Sequence, residues 1–322
     1  MNRIVIRRLA QVIPLVFAVI VLNFVLIHLA PGTLFDVVTA EQQITDPAML
    51  DQLRHTYGVD QPTYVQLAKY IWSVMHLDLG FSYRQNAPVL NVILEQLPAT
   101  MILMLAATAI ALLVGVTAGV LASVRVNTIW DNLISLAAVF FFAAPSFWLG
   151  IMMTVLFAVK LGWFPVGGMR TIGADNGVFA DALNVVHHLV LPATALGLFY
   201  AATYARVMRA SMLEVFRLDF VRTARAKGLS PARVVMAHVM RNALLPIVTL
   251  LGLQLGTILG GSVVIEAVFS WPGIGSLLFD SVMSRNFPMV LGVLVLGSLL
   301  VAVANASVDL LYLRLDPRIR AR

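Results

Sequence analysis

Six stretches of this chain run for some twenty apolar residues each with almost no charge. They fall at about 9–30, 100–124, 133–159, 188–204, 244–268 and 289–313. A bilayer core of about 30 Å needs roughly that length of helix to cross it. Lipid offers no water to peptide N–H and C=O groups, so a spanning segment satisfies them internally, as a helix. The runs are too long and too continuous for barrel strands. Composition agrees, with 60% hydrophobic and 12% charged residues against roughly 25% charged in an ordinary soluble domain. That leaves too little polar surface to coat a globule of 322 residues. A soluble enzyme, a disordered chain and a nucleic-acid-binding domain are excluded despite the net charge of +6. The absence of cysteine excludes a disulfide scaffold, a thiol nucleophile and a thiolate metal site. The expected class is an all-α integral membrane protein.

Arg3, Arg7 and Arg8 ahead of the first run resemble the start of a signal peptide. The run is about twice the usual signal length, and residues 28–31 form a poor cleavage site, so a retained first helix is expected. Orientation follows from the basic residues. With the N-terminus inside, sixteen of the 22 Lys and Arg face the cytoplasm together with five of the 16 acids. The inner face then carries near +11 and the outer near −5. Six spans with both termini cytoplasmic are expected. The chain divides into residues 1–98 (first span and an external helical segment), 99–313 (a five-span core) and 314–322 (a basic tail).

The outer segment is long enough to fold. Asp46-Pro47 reads as a helix start and Gly58 as its stop. Residues 62–77 carry Val65, Ala68, Ile71, Trp72 and Met75 at helical spacing, and residues 88–97 read as a third short helix. Such helices lie on the membrane, cap the bundle or dock an external partner.

The inner loop between spans four and five is the most informative segment. From Arg206 to Ala243 it holds eight of the 22 basic residues. Residues 219–227 form a predicted short helix, with Gly228 as the left-handed residue after its end. Ser230-Pro231 then restarts helix with a cap and a proline at the first position. In the short helix Phe220 and Ala224 share a face, with Arg222 and Arg225 pointing away. Ala224 or Gly228 would permit close approach by another protein. Arginines that only enforce topology and hold anionic lipid would not need this helix–Gly–Ser–Pro–helix order.

The run Arg222-Thr223-Ala224-Arg225-Ala226-Lys227-Gly228-Leu229, with Arg241-Asn242-Ala243-Leu244-Leu245-Pro246 downstream, resembles the cytoplasmic signature loop of binding-protein-dependent ABC importer permeases. The similarity is to the dipeptide, oligopeptide and nickel branch. Tyr57-Gly58-Val59-Asp60-Gln61-Pro62, Leu77-Asp78-Leu79-Gly80, Phe269-Ser270-Trp271-Pro272-Gly273-Ile274-Gly275 and Asp316-Pro317-Arg318 agree along the whole chain. The broader family's Glu-Ala-Ala opening is absent, with Arg222 and Thr223 in its first two places.

The resemblance implies a type I ABC importer permease with six transmembrane helices in the bacterial cytoplasmic (inner) membrane. Its implied partners are a second, homologous permease in a heterodimer, two cytosolic ATPases, an extracytoplasmic solute-binding protein and membrane lipid. Arg222, Thr223, Ala224, Arg225, Ala226, Lys227 and Gly228 would form the ATPase-coupling loop. The implied solutes are di- and oligopeptides or similar small solutes.

Glu266 and Asp309 are the acids nearest the membrane interior, where a charge is costly. Glu266, Trp271, Pro272 and Gly273 are candidate gate or partner contacts, with pairing to a neighbouring helix the alternative for Glu266. None of the six histidines makes a compact ligand pattern, and His187 and His188 point about 100° apart on a helix. The glycines at 115 and 119, and at 252, 256 and 260, recur every four residues. Such spacing favours close helix packing. Only Lys69, Lys160 and Lys227 are present and none follows a phosphate-binding loop, so no cofactor is expected in this chain. ATP and Mg would sit in the partner ATPases, and the chain itself is not an enzyme. An ion-coupled secondary transporter or channel is the alternative; repeated halves and charged midplane helices are not evident.

Overall fold

The computed structural model describes residues 2–29, 61–171, 173 and 177–315, with side chains at 2–12, 15, 26, 27, 255–261 and 307–315 not described. The expected Asp46-Pro47 helix start, the Gly58 stop, the side chain of Asp309 and the 256–260 spacing lie outside the described residues or side chains. The described chain is mostly helical. In order it forms α1 (Asn2–Leu29), α2 (Thr63–Met75), strands β1 (Phe81–Ser82) and β2 (Ala87–Pro88), then α3 (Val89–Val124). There follow α4 (Ile129–Ala143), α5 (Ser146–Lys160), α6 (Val178–Val215), α7 (Asp219–Ala226) and α8 (Pro231–Ala243). The last are α9 (Leu245–Gly261), α10 (Val263–Val268), α11 (Ile274–Met283) and α12 (Phe287–Leu315). The second half of α5 (Thr154–Lys160) and the middle of α8 (Val234–Val239) are π-helical.

Among the described residues, three helices are individually long and apolar enough to cross a membrane: α3, α6 and residues 287–306 of α12. Two bent pairs pass the same length and hydropathy criteria together. They are α4 with α5, at 104°, and α8 with the first half of α9, at 43°. The bend between α4 and α5 has a local cause. Proline disfavours helical backbone in the residue before it, and Ala144, preceding Pro145, is extended at φ −73°, ψ 127°. Pro98 behaves differently. It was expected to separate a short helix from the second span, yet residues 89–124 form one continuous helix. Pro98 and Leu94, whose carbonyl loses its donor, are both exposed. The missing bond is tolerated there.

The chain divides into two compact units, residues 1–98 with 277–322 and residues 99–276. In the first, α1 packs against α12 and α2. Ile20, Val74 and Val295 form its small core, flanked by Tyr70, Ile71 and Leu79. The protein-facing side of α2 is therefore Tyr70, Ile71 and Val74. Trp72 and Met75, in the same apolar spacing, are 65% and 71% exposed. Asn286 donates from Nδ2 to the buried Ser82 hydroxyl at 2.8 Å.

In the second unit α6 is the central column. It is 38 residues long, far beyond the short fourth span expected, because its polar residues find partners on neighbouring elements. A Cβ on Gly197 would touch Ile110 and the Ala107 carbonyl, one on Gly115 the Ala201 carbonyl, and one on Gly119 the Ala205 carbonyl. Residue numbers rise together, so α3 and α6 run parallel in near-backbone contact. The small residues of α3 thus pack within this chain. The α4–α5 pair climbs α6 the opposite way. Asp131 meets Arg209, Phe142 stacks on Phe199, and His187 Nε2 bonds the Trp163 carbonyl. From 209 back to 187 is about 33 Å of helix, close to the hydrocarbon thickness. Lower on α6, Tyr204 donates to Gln254 Oε1 of α9.

Candidate functional site

The basic segment after α6 folds as a short helix, a glycine turn and a second helix, as its spacing predicts. Asp219 lies in the first turn of α7 and Arg225 in the last, each complementing the helix dipole. Gly228 takes φ +75°. Its N–H donates to the Arg225 carbonyl at 2.9 Å and that of Leu229 to the Ala224 carbonyl at 3.4 Å. This is the paired bonding of a helix ended by a left-handed residue. Pro231 opens α8 at its first turn, but the Ser230 side chain makes no capping bond.

The buried face of α7 is Val221 and Ala224, three residues apart, rather than Phe220 and Ala224. They join a core with Met212, Val215, Val234, Val239, Ala243 and Ile247. Phe220 is exposed. Ala224 is buried against its own chain. Its small side chain lets α7 lie close on the chain's own helices. Arg222, Thr223, Arg225, Ala226, Lys227 and Gly228 remain exposed, forming an outward surface of one glycine, one alanine, one threonine and three cations. Arg222 pairs with Asp219 at 3.6 Å, a solvated pair of little energetic weight. Arg225 lies over the Phe216 ring at 5.7 Å.

At the other end of this unit, Glu266 on α10 is fully buried. The Thr100 hydroxyl donates to Oε1 at 2.9 Å and the Ser276 N–H to Oε2 at 3.0 Å. Thr100 in turn accepts the Ile274 N–H at 2.8 Å. The carboxylate and its threonine thus cap the start of α11, where unpaired N–H groups and the dipole favour negative charge. The Trp271 indole N–H donates to the Ala99 carbonyl at 2.9 Å, and the whole side chain is buried. A Cβ on Gly273 would fall 2.3 Å from Glu266 Oε2. Of the four candidate gate or partner contacts, Glu266, Trp271 and Gly273 are enclosed by their own chain. Pro272 alone is exposed.

A third arrangement was not visible in the sequence. Asp131, in the first turn of α4, is 2% exposed and accepts both arms of Arg209, from Nε at 2.6 Å and Nη2 at 2.8 Å. The Asn127 N–H adds a bond to Oδ2 at 3.0 Å. Seventy-eight residues separate the pair. The one sequence signal is an acid on the face expected to be rich in arginine. Among the described residues no group of three or more His, Asp or Glu could hold a metal ion. His188 bonds the Asn184 carbonyl of its own helix.

These three arrangements lie in a region, residues 115–321, that matches the family model described as binding-protein-dependent transport system inner membrane component, except for Ala99 and Thr100. Residues 1–104 match that family's N-terminal model. The chain belongs to this family. It is 41% identical to the di/tripeptide transport system permease protein DppB of Pseudomonas aeruginosa (strain UCBPP-PA14), covering 98% of this chain and 97% of that one. It is 38% identical to the oligopeptide transport system permease protein AppB of Bacillus subtilis (strain 168), covering 98% of each. Among solved structures, a chain of the MetNI methionine ABC transporter in an inward-facing conformation matches with a TM-score of 0.56 and 20% identity. That match covers 70% of this family member and 96% of the solved chain, and it shows a shared fold.

Proposed function

We propose that this chain is the permease subunit of an ATP-driven ABC importer for di- or oligopeptides in the bacterial cytoplasmic membrane. The observation that carries the reading is full-length identity of 41% and 38% to two permeases named for peptide transport. Six spans begin at α1, α3, α4–α5, α6, α9 and α12, with both termini cytoplasmic. The parallel α3 and α6, and the α4–α5 pair climbing between their ends, support that alternation. The complex is completed by a sister permease in a heterodimer, two cytosolic ATPases that bind ATP and Mg, and an extracytoplasmic binding protein that selects the solute.

In this reading α7 is the element seated on an ATPase. Arg222, Thr223, Arg225, Ala226 and Lys227 face the ATPase, while Val221 and Ala224 root the helix in the core beneath. A push on α7 therefore passes into α6 and α8 instead of bending a loose loop. Linkage does the rest: ATP can shift the bundle between inward- and outward-facing states only if it binds one of them better.

Gly228 tests the reading. Nothing lies within 4 Å of a Cβ placed there, so only its φ of +75° restricts substitution. A left-handed L-residue costs about 1–2 kcal/mol, with asparagine spared most of that. Gly228→Asn is expected to transport peptide at near the wild-type rate. Gly228→Val should lose uptake several-fold while the chain still inserts and the partner ATPases still hydrolyse ATP. Uptake and ATP hydrolysis measured on the same membranes separate these effects. Unimpaired uptake by Gly228→Val would contradict the coupling role.

A further inference from the structure

The grip of α6 on α4 has a mechanical consequence. Arg206 and Arg209 lie one turn apart on α6, in its inner-face end. Arg209 holds Asp131 in the first turn of α4 through two bonds of 2.6 and 2.8 Å. The carboxylate is almost wholly buried and takes a third bond from the Asn127 N–H. Three residues back, the guanidinium of Arg206 sits 4.0 Å from the centroid of the Phe142 ring, near the last turn of α4. Phe142 also stacks on Phe199 of α6 at 6.2 Å and 7°. One helix thus holds the other at both ends. The grips differ in kind: a bidentate charged pair has fixed geometry, while a cation over a ring tolerates sliding.

Two further features make this pairing directional. The α6 backbone at Arg209 is pressed against α3, since a Cβ on Gly119 would come within 3.1 Å of the Arg209 nitrogen. The same helix continues through Val215 and, after a turn at 216–218, becomes α7. At its far end α4 meets α5 through the extended Ala144-Pro145 joint, bent by 104°. The α4 helix is therefore tied firmly to α6 and joined to α5 by a break.

We infer that α4 moves as one body with the inner end of α6 during transport, with Arg209 and Arg206 as positioning residues and the Pro145 joint as the hinge. This rests on the reading that ATPases act on α7. It assigns the two arginines a task beyond setting topology: they carry a displacement of α7 into the third span.

The chain contains no cysteine, so introduced cysteine pairs can be spin-labelled cleanly in the full complex once partner cysteines are replaced. Leu136→Cys with Glu214→Cys reports α4 against α6, and Leu136→Cys with Val159→Cys reports α4 across the hinge. All three positions are exposed. Distances would be measured without nucleotide and with ATP trapped by vanadate. The expected result is one narrow α4–α6 distance common to both states and an α4–α5 distance that shifts on trapping. Adding Arg209→Lys, which cannot form the bidentate pair, together with Arg206→Ala should split the α4–α6 distance into two populations on trapping. Arg206→Ala alone alters only an exposed side chain, guarding against a failure to fold, and should broaden that distance.

An α4–α6 distance that shifts in the otherwise unaltered chain overturns the inference and leaves the importer reading intact. So does a single narrow distance in the doubly substituted chain. If trapping ATP shifts neither distance, nucleotide does not drive these helices, and the importer reading fails together with the inference.

Discussion

Substituting leucine for Gly115 and Gly119 together is expected to abolish the folded permease while leaving its insertion into the membrane intact. Even the first added carbon has nowhere to go. At Gly119 a Cβ falls 2.6 Å from the Met208 Cβ and 2.7 Å from the Ala205 carbonyl oxygen. At Gly115 it falls 2.7 Å from both the Ala201 carbonyl oxygen and the Tyr204 Cβ. These neighbours are backbone or backbone-attached atoms of α6, which cannot rotate aside. Overpacking of a fitted core costs about 1–3 kcal/mol per site, and two sites on one interface act together. Lipid supplies no hydrophobic force to hold separated helices, so close packing carries their association. The loss reaches beyond α3, because α6 also carries Arg209, Tyr204 and the root of α7. Size-exclusion profiles of the solubilised complex should show aggregated or dissociated chain. A wild-type profile for the double variant would contradict the parallel α3–α6 contact. Gly162→Asn is the control, at a glycine with φ +65° and nothing within 4 Å.

The second large effect is expected at Gly273→Ala. The added methyl would lie 2.3 Å from Glu266 Oε2 and 2.5 Å from the Thr100 hydroxyl oxygen. To admit it, the carboxylate must leave the Ser276 N–H or the threonine must turn from Glu266. Either movement strands a buried polar group, at a cost of about 1–3 kcal/mol, more for a charge. Steric strain adds to that. A drop of about 3 kcal/mol in stability is expected, read as a lowered melting temperature. A compensation is also expected. Glu266→Asp shortens the side chain by one methylene and should recover part of the loss in the Gly273→Ala background, though it is destabilising alone. Strictly additive losses would mean that the two residues do not share one space.

The membrane character and most helices were legible in the sequence because apolar runs and breakers are local properties. Gly228 is the clearest case. A glycine after a short basic helix and before Ser-Pro has few other uses, and it takes the left-handed conformation expected of it. Orientation was harder to read. In a soluble protein an apolar residue on a helix points inward, but in lipid it points either way. Trp72, Met75 and Phe220 are apolar at helical spacing and yet exposed, so spacing alone does not say which side of their helices meets protein. The length of α6 was missed for the converse reason. His187, Arg206 and Arg209 end the apolar run without ending the helix, since each polar group finds a partner on α4, α5 or the loop after it. The partners of Glu266 were hidden because Thr100 lies 166 residues away. A single sequence carries no signal for such a pair.

The central claim is that this chain works only as part of an ATP-driven assembly. The measurement that tests it most directly is purification of the tagged chain from its native membranes in mild detergent, with identification of every co-purifying protein and an ATPase assay of the product. A second permease of the same family, P-loop ATPases and ATP hydrolysis are expected in the purified material. A stable, transport-competent assembly containing this chain alone would contradict that claim and point to transport driven by an ion gradient.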